Sequence, residues 1–182
     1  MHAPLEAALG ICLRAARPVN EIEAINVGIN SSAMSMAGGL YRCDSVASAQ
    51  LSIPYGVALG LSGRPGLADD FESSVIADEQ LFQLAQKVAV HISPQMEELR
   101  LTLHKSAAQV EVVYCDGNRE YQEIHDARGH LGNPLDERTV IDKFLALATA
   151  AVGMERAGDI SRQIMNGDAE MPADELFRQW VL

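Results

Sequence analysis

Residues 49–61 (Ala-Gln-Leu-Ser-Ile-Pro-Tyr-Gly-Val-Ala-Leu-Gly-Leu) constrain this chain more than any other stretch. The run is the longest apolar one in the sequence, yet it contains Gln50, Ser52, Pro54 and Tyr55. A proline has no backbone donor, so a helix accepts it only in the first turn or at a kink. The stretch therefore reads as a helix start or a kinked helix, buried nearly all round, with a few polar groups aimed at something. A core helix needs none of these groups. An active site gives them a purpose, with most of that site expected on another chain or on a part outside this sequence.

The 182 residues allow one domain of ordinary size, or one domain and part of another. Nearly half of them, 48%, are hydrophobic, enough for a real core. The net charge of -11 and the lack of a clustered basic face argue against nucleic acid as a partner. The same charge repels polyanions at long range, so an acid-binding pocket must gather its cations locally. Cys12, Cys43 and Cys115 are far apart and in no C-x-x-C pattern. That argues against a disulfide framework, a zinc site or an iron–sulfur cluster, and favours buried free thiols in a reducing cytoplasm. No run is long and apolar enough to predict a transmembrane helix, and no basic region of a signal peptide stands at the N-terminus. The chain enters a helical pattern at once, which reads as a start inside a larger protein.

Along the chain, Leu5, Ala8, Leu9, Cys12 and Leu13 predict a helix over 4–16, ended by Pro18. Ile25, Val27 and Ile29 alternate with Asn26, Gly28 and Asn30, as in a half-buried strand. Residues 31–44 read as a Ser- and Gly-rich loop, and 45–62 as a long helix. Asp78 caps a helix over 79–87, and an alternating stretch follows to Ile92. Residues 94–107 carry few signals. Strands are predicted at 109–115 and 119–125 around an Asp116-Gly117-Asn118 turn. Asp136 caps a helix apolar on two sides over 137–152, and two shorter helices follow at 157–166 and 173–182. The layout is an α+β fold: a small mixed or antiparallel sheet with packed helices, plus segregated C-terminal helices. The first helix and the last three are apolar enough to belong to a separate helical body.

The order of landmarks resembles the MmgE/PrpD family. The resemblance rests on His2 at the head of a helix, the run Ala49 to Leu61, and the hairpin Val110 to Gly117. It also rests on Gly129 to Leu135 and on Asp142 to Ala148. It covers essentially the whole chain but only the C-terminal part of the family's protein. The family includes 2-methylcitrate dehydratase, cis-aconitate decarboxylase and iminodisuccinate epimerase. The resemblance implies an α/β lid over residues 18–131, with 2–16 and 133–182 as segments of a helical domain. It implies a small polycarboxylate substrate, no metal or other cofactor, and an N-terminal helical half or second subunit to complete the site. A cytoplasmic homo-oligomer, with no nucleic-acid or membrane partner, is the expected setting.

Such chemistry removes a proton beside a carboxylate and needs a base, an acid and donors for the developing charge. The resemblance gives His2 the role of base, acid or carboxylate donor; the alternative is an unordered terminal residue. It gives Tyr55 the role of a phenol facing the cleft; the alternative is a core tyrosine with its hydroxyl satisfied. Gln50 and Ser52 are substrate-binding candidates, or simply partners of nearby backbone. His91, His104, His125 and His130 read as solvated or core histidines. Cys43 has nothing near it in sequence to lower its pKa, Lys143 reads as a surface or interdomain ion-pair residue, and Asn133-Pro134 as a turn. Against the enzyme stand two other readings: a non-catalytic remnant or oligomeric structural subunit of the same fold, and a plain small-molecule-binding domain.

Overall fold

The computed structural model describes residues 1–39, 41–167 and Asp174. Those residues form α1 (His2–Ala15), β1 (Ile22–Ile29), α2 (Ser31–Ala37), α3 (Val46–Gln50) and α4 (Ile53–Leu61). Next come α5 (Ser73–Ile76), α6 (Glu79–Gln86), β2 (Val88–Ile92), α7 (Pro94–Leu103), β3 (Ala108–Tyr114) and β4 (Arg119–Ile124). The chain ends its described part with α8 (Glu137–Val152) and α9 (Met154–Asn166). The fold is α+β. It divides into two compact units, Met1–Pro134 and Leu135–Leu182.

The first unit is built on a four-stranded sheet of order β2-β1-β3-β4. β1 runs parallel to β2 and antiparallel to β3, and β3 and β4 form the hairpin expected from the Asp-Gly-Asn turn. Gly117 takes a φ of 82°, the left-handed region in which a glycine carries no Cβ penalty. The alternation in sequence is the alternation in space. Ile25, Val27 and Ile29 of β1, with Val110 and Val112 of β3, are at most 1% exposed. Each such burial contributes about 2 kcal/mol. Their face receives α1, α4 and α6. The opposite face carries a polar lattice in which Asn26 Nδ2 donates to Glu111 at 2.9 Å and Arg119 pairs with Glu111 at 3.0 Å.

The expected first helix does not stand apart from the sheet. α1 lays Ala3, Ala7, Ala8 and Ile11 against α4, β3 and β4. The two helices run side by side in the same direction: Gly56 abuts Met1, Gly60 abuts Leu5 and Ala8, and Gly63 abuts Cys12. A Cβ on Gly60 would fall 2.5 Å from the Leu5 carbonyl oxygen and 2.8 Å from the Ala8 Cβ. Small residues on both helices let the backbones touch.

Three local expectations change. The long helix over 45–62 is two helices, because the Ser52 side chain accepts from the Tyr55 N–H and caps a new start, with Pro54 in its first turn. The loop over 31–44 contains a helix, α2, capped by Asn30 through the Ala33 N–H. Residues 94–107 include α7, which begins at Pro94 and buries Met96 alone among its ten residues.

The second unit pairs α8 with α9. None of the sixteen residues of α8 is buried; Val140 and Leu147 are 45% and 51% exposed. Of the helix expected over 173–182 only Asp174 is described; Leu176, Phe177 and Trp180 lie outside the described residues. Among the described residues no helix is long and apolar enough to cross a membrane.

Candidate functional site

The four residues singled out from sequence fall at the start of α1 and around the junction of α3 and α4. His2 is exposed in the first turn of α1. Gln50 ends α3 and is exposed, Ser52 caps α4, and Tyr55 sits one turn inside it. The contact of Gly56 with Met1 brings the starts of α1 and α4 together.

Tyr55 is 3% exposed, and its hydroxyl donates to the Asp70 carbonyl at 2.8 Å. Burial, then the nearby Cys43 and Asp70, push the phenol up to about 12. It therefore stays protonated near neutrality and keeps a proton to donate. Its ring lies 6.1 Å from that of Phe71. Ser52 is wholly buried; its oxygen accepts the Tyr55 N–H at 3.0 Å and takes part in a hydrogen bond with Cys43. The Cys43 thiol is pushed up, chiefly by burial. In this arrangement Tyr55 and Ser52 make their polar bonds within the fold, while His2 and Gln50 present theirs to solvent.

Gln50 lines an open hollow of about 640 Å³ with Val46, Ala68, Phe71, Glu72 and Ser73. Among the described residues that line it, the hollow offers an amide and hydroxyls but no cation, and Glu72 repels carboxylates. By itself it is a poor seat for a polyacid.

The other histidines stand elsewhere. His91 and His104 are exposed, His125 pairs with Glu123, and His130 lies 3.0 Å from Asp126. Asn133 builds its turn, donating to the Asp126 carbonyl at 3.0 Å. Lys143 is exposed on α8. Cys12 and Cys43 are half-buried rather than buried, and Cys115 is exposed at the end of the β3 strand. Among the described residues no group of His, Cys, Asp or Glu is placed to hold a metal ion.

Sequence reasoning missed Asp70. Its carboxylate accepts from the Gly66 N–H at 2.8 Å, the Leu67 N–H at 3.1 Å and Arg64 Nη1 at 3.1 Å. Nothing in the Asp69-Asp70 pair marks the second as the structural one. It missed Glu97 as well, which reaches the start of α2 by accepting from the Ser31 N–H at 2.7 Å. The Arg100 guanidinium, with the Ser31 N–H, holds its carboxyl down at about 2.

No curated protein sequence matches the chain. A family model for the MmgE/PrpD C-terminal domain matches residues 1–166. With that match spanning most of its length, the chain belongs to the MmgE/PrpD family, in the part that forms the C-terminal domain.

Proposed function

We propose that the chain is the C-terminal portion of an MmgE/PrpD-type lyase acting on small polycarboxylic acids, completed by a helical N-terminal half. The family match over residues 1–166 carries this reading. In it, residues 18–131 form the lid, and 2–16 and 133–182 belong to the helical body. α1 is then the border element, with its alanine face on the sheet and Leu13, 72% exposed, turned away.

The reaction is dehydration of the 2-methylcitrate type. A base removes the proton beside a carboxylate, the C–O bond breaks, and the departing hydroxide leaves as water with a proton from an acid. His2 serves as base or acid, because its imidazole is exposed and an imidazole can either take up or give a proton. Gln50 donates its amide to a carboxylate of the substrate. Ser52 and Tyr55 belong to the same substrate-facing end of α4: the serine sets where the helix starts, and the phenol offers a hydrogen bond from an O–H that stays intact at neutral pH. The cations that a polyacid requires come from the other half, since the described residues lining the hollow beside Gln50 include none. The apolar α8 stripe, with Val140 and Leu147 open, suits a helical neighbour.

A second reading is a structural or oligomeric subunit of the same fold. It is favoured by Tyr55 and Ser52, whose hydroxyls are already engaged within the core. One experiment separates the two. The chain is mixed with a helical N-terminal half as a separate polypeptide, and the ultraviolet absorbance of an unsaturated product is followed with 2-methylcitrate or citrate. Turnover that collapses in His2→Ala supports the lyase. A stable complex without turnover on any of these acids leaves the structural subunit, and turnover that survives His2→Ala combined with Tyr55→Phe removes the site assignment.

A further inference from the structure

We infer that Asp70 is a positioning residue for Tyr55: by fixing the shape of residues 64–71 it holds a backbone carbonyl over the phenol and sets where the phenolic proton points. This rests on the reading that Tyr55 serves the lyase site.

The segment leaves α4 through Ser62 and Gly63, turns at Gly66 with φ of 74°, and closes in a 3-10 turn over Ala68–Phe71. Hydrophobic contact does little to dictate that path in its first half: Gly63, Pro65 and Leu67 lie toward solvent, and only Gly66 abuts the Leu5 side chain. The path is drawn by one carboxylate. Asp70 is 6% exposed and gathers three donors, the Gly66 and Leu67 amides and Arg64. A carboxylate that satisfies two backbone amides and a guanidinium is held by charge-assisted bonds, each stronger than a neutral one. The bend they impose brings the Asp70 carbonyl to 2.8 Å from the Tyr55 oxygen and the Phe71 ring onto the Tyr55 ring. Asp69, one residue away, is exposed and makes none of these bonds.

Two consequences follow for the phenol. Its proton is committed to a carbonyl in the resting state, so donation to a substrate carboxylate requires the segment 64–71 to let go. The segment also screens the phenol from water. The charged and titratable groups around it are Cys43, Asp70, Arg64 and Asp78, and of these only Arg64 favours the phenolate. Asp70 thus governs both the direction of the donor and its release.

The test is the exchange of the Tyr55 hydroxyl proton at neutral pH, read by nuclear magnetic resonance in the whole chain and assigned by its loss in Tyr55→Phe. The expected result is a slowly exchanging proton in the wild type and in Asp69→Asn. In Asp70→Asn it exchanges at least about tenfold faster while the β3 amides keep their protection, which separates loss of position from loss of stability. Gly66→Ala, which keeps Asp70 but forces a side chain into a left-handed turn and its Cβ to 2.6 Å from Leu5 Cδ1, is expected to do the same; Leu5→Ala, which opens that contact and leaves the turn alone, keeps the slow proton, and the pair decides the matter if Asp70→Asn does not fold. A folded Asp70→Asn, or failing that Gly66→Ala, with wild-type exchange overturns the inference. The measurement uses no substrate. Absence of turnover on complementation therefore removes the lyase reading alone, and an unchanged proton removes the positioning role alone.

Discussion

Gly60→Ala tests how α1 and α4 are held together. In an exposed helix this substitution stabilises, by about 1 kcal/mol, since glycine is the costlier residue in a helix interior. Gly60 has no positive φ to lose. What opposes the change is contact. The new Cβ would lie 2.5 Å from the Leu5 carbonyl oxygen, 2.8 Å from the Ala8 Cβ and 2.9 Å from the Leu9 nitrogen. Two of these atoms are backbone and none is the end of a flexible side chain, so relief requires the helices to part. Overpacking of a core in this way costs roughly 1–3 kcal/mol and occasionally more. Against the propensity gain, the net is a loss of about 1 kcal/mol, or a fall in Tm of about 2–4 °C for a chain of this size. Gly10→Ala is the matched control, because its Cβ would meet only Gln122 atoms at 3.8 Å or beyond. It should raise stability by roughly 0.5–1 kcal/mol. Urea unfolding followed by circular dichroism reads both midpoints. If Gly60→Ala is as stable as the wild type, α1 and α4 are not in backbone contact and the packing account fails.

Tyr55→Phe should lower stability by about 1–2 kcal/mol, because it leaves the Asp70 carbonyl without a donor in a buried site; an unchanged urea midpoint would show that the bond is not formed. Glu97 links α7 to the start of α2, and its carboxyl is held near 2 against an ordinary 4.5. The unfolded chain takes up the proton first as pH falls, so this contribution is full above about 4.5 and is lost toward about 2. Urea midpoints measured from pH 5 down should flatten in Glu97→Gln relative to the wild type, and parallel curves would exclude the linkage. Leu147→Ser, at a half-exposed position on α8, should change the stability of the chain by less than about 0.5 kcal/mol. It should still weaken the complex with a helical N-terminal half, measured by size-exclusion chromatography; equal complex formation would refute the role given to that stripe.

Much of the sheet was legible because its signals are local. Ile25, Val27 and Ile29 alternate, so do Val110, Val112 and Tyr114, and Asp-Gly-Asn names the turn between β3 and β4. Asp78 and Asp136 cap α6 and α8 as their spacing predicts. The split between α3 and α4 was legible too, in Ser52 two residues before Pro54, but continuous apolarity concealed it. α2 was not legible in full: its local cap, Asn30, is joined by Glu97, which lies 66 residues away from Ser31 in sequence.

The candidate site divides along the same line. Sequence alone, through motif order and residue type, determined the family, the α+β class and the four residues to examine. Only the tertiary structure decided what their polar atoms do. A hydroxyl can bond any carbonyl, and every residue carries one, so no residue type announces that Tyr55 will give its proton to Asp70 rather than to a cleft. Nor does a pair of adjacent aspartates declare which one faces inward. That choice depends on where the backbone of residues 64–71 places each carboxylate, and three donors converge on Asp70 alone.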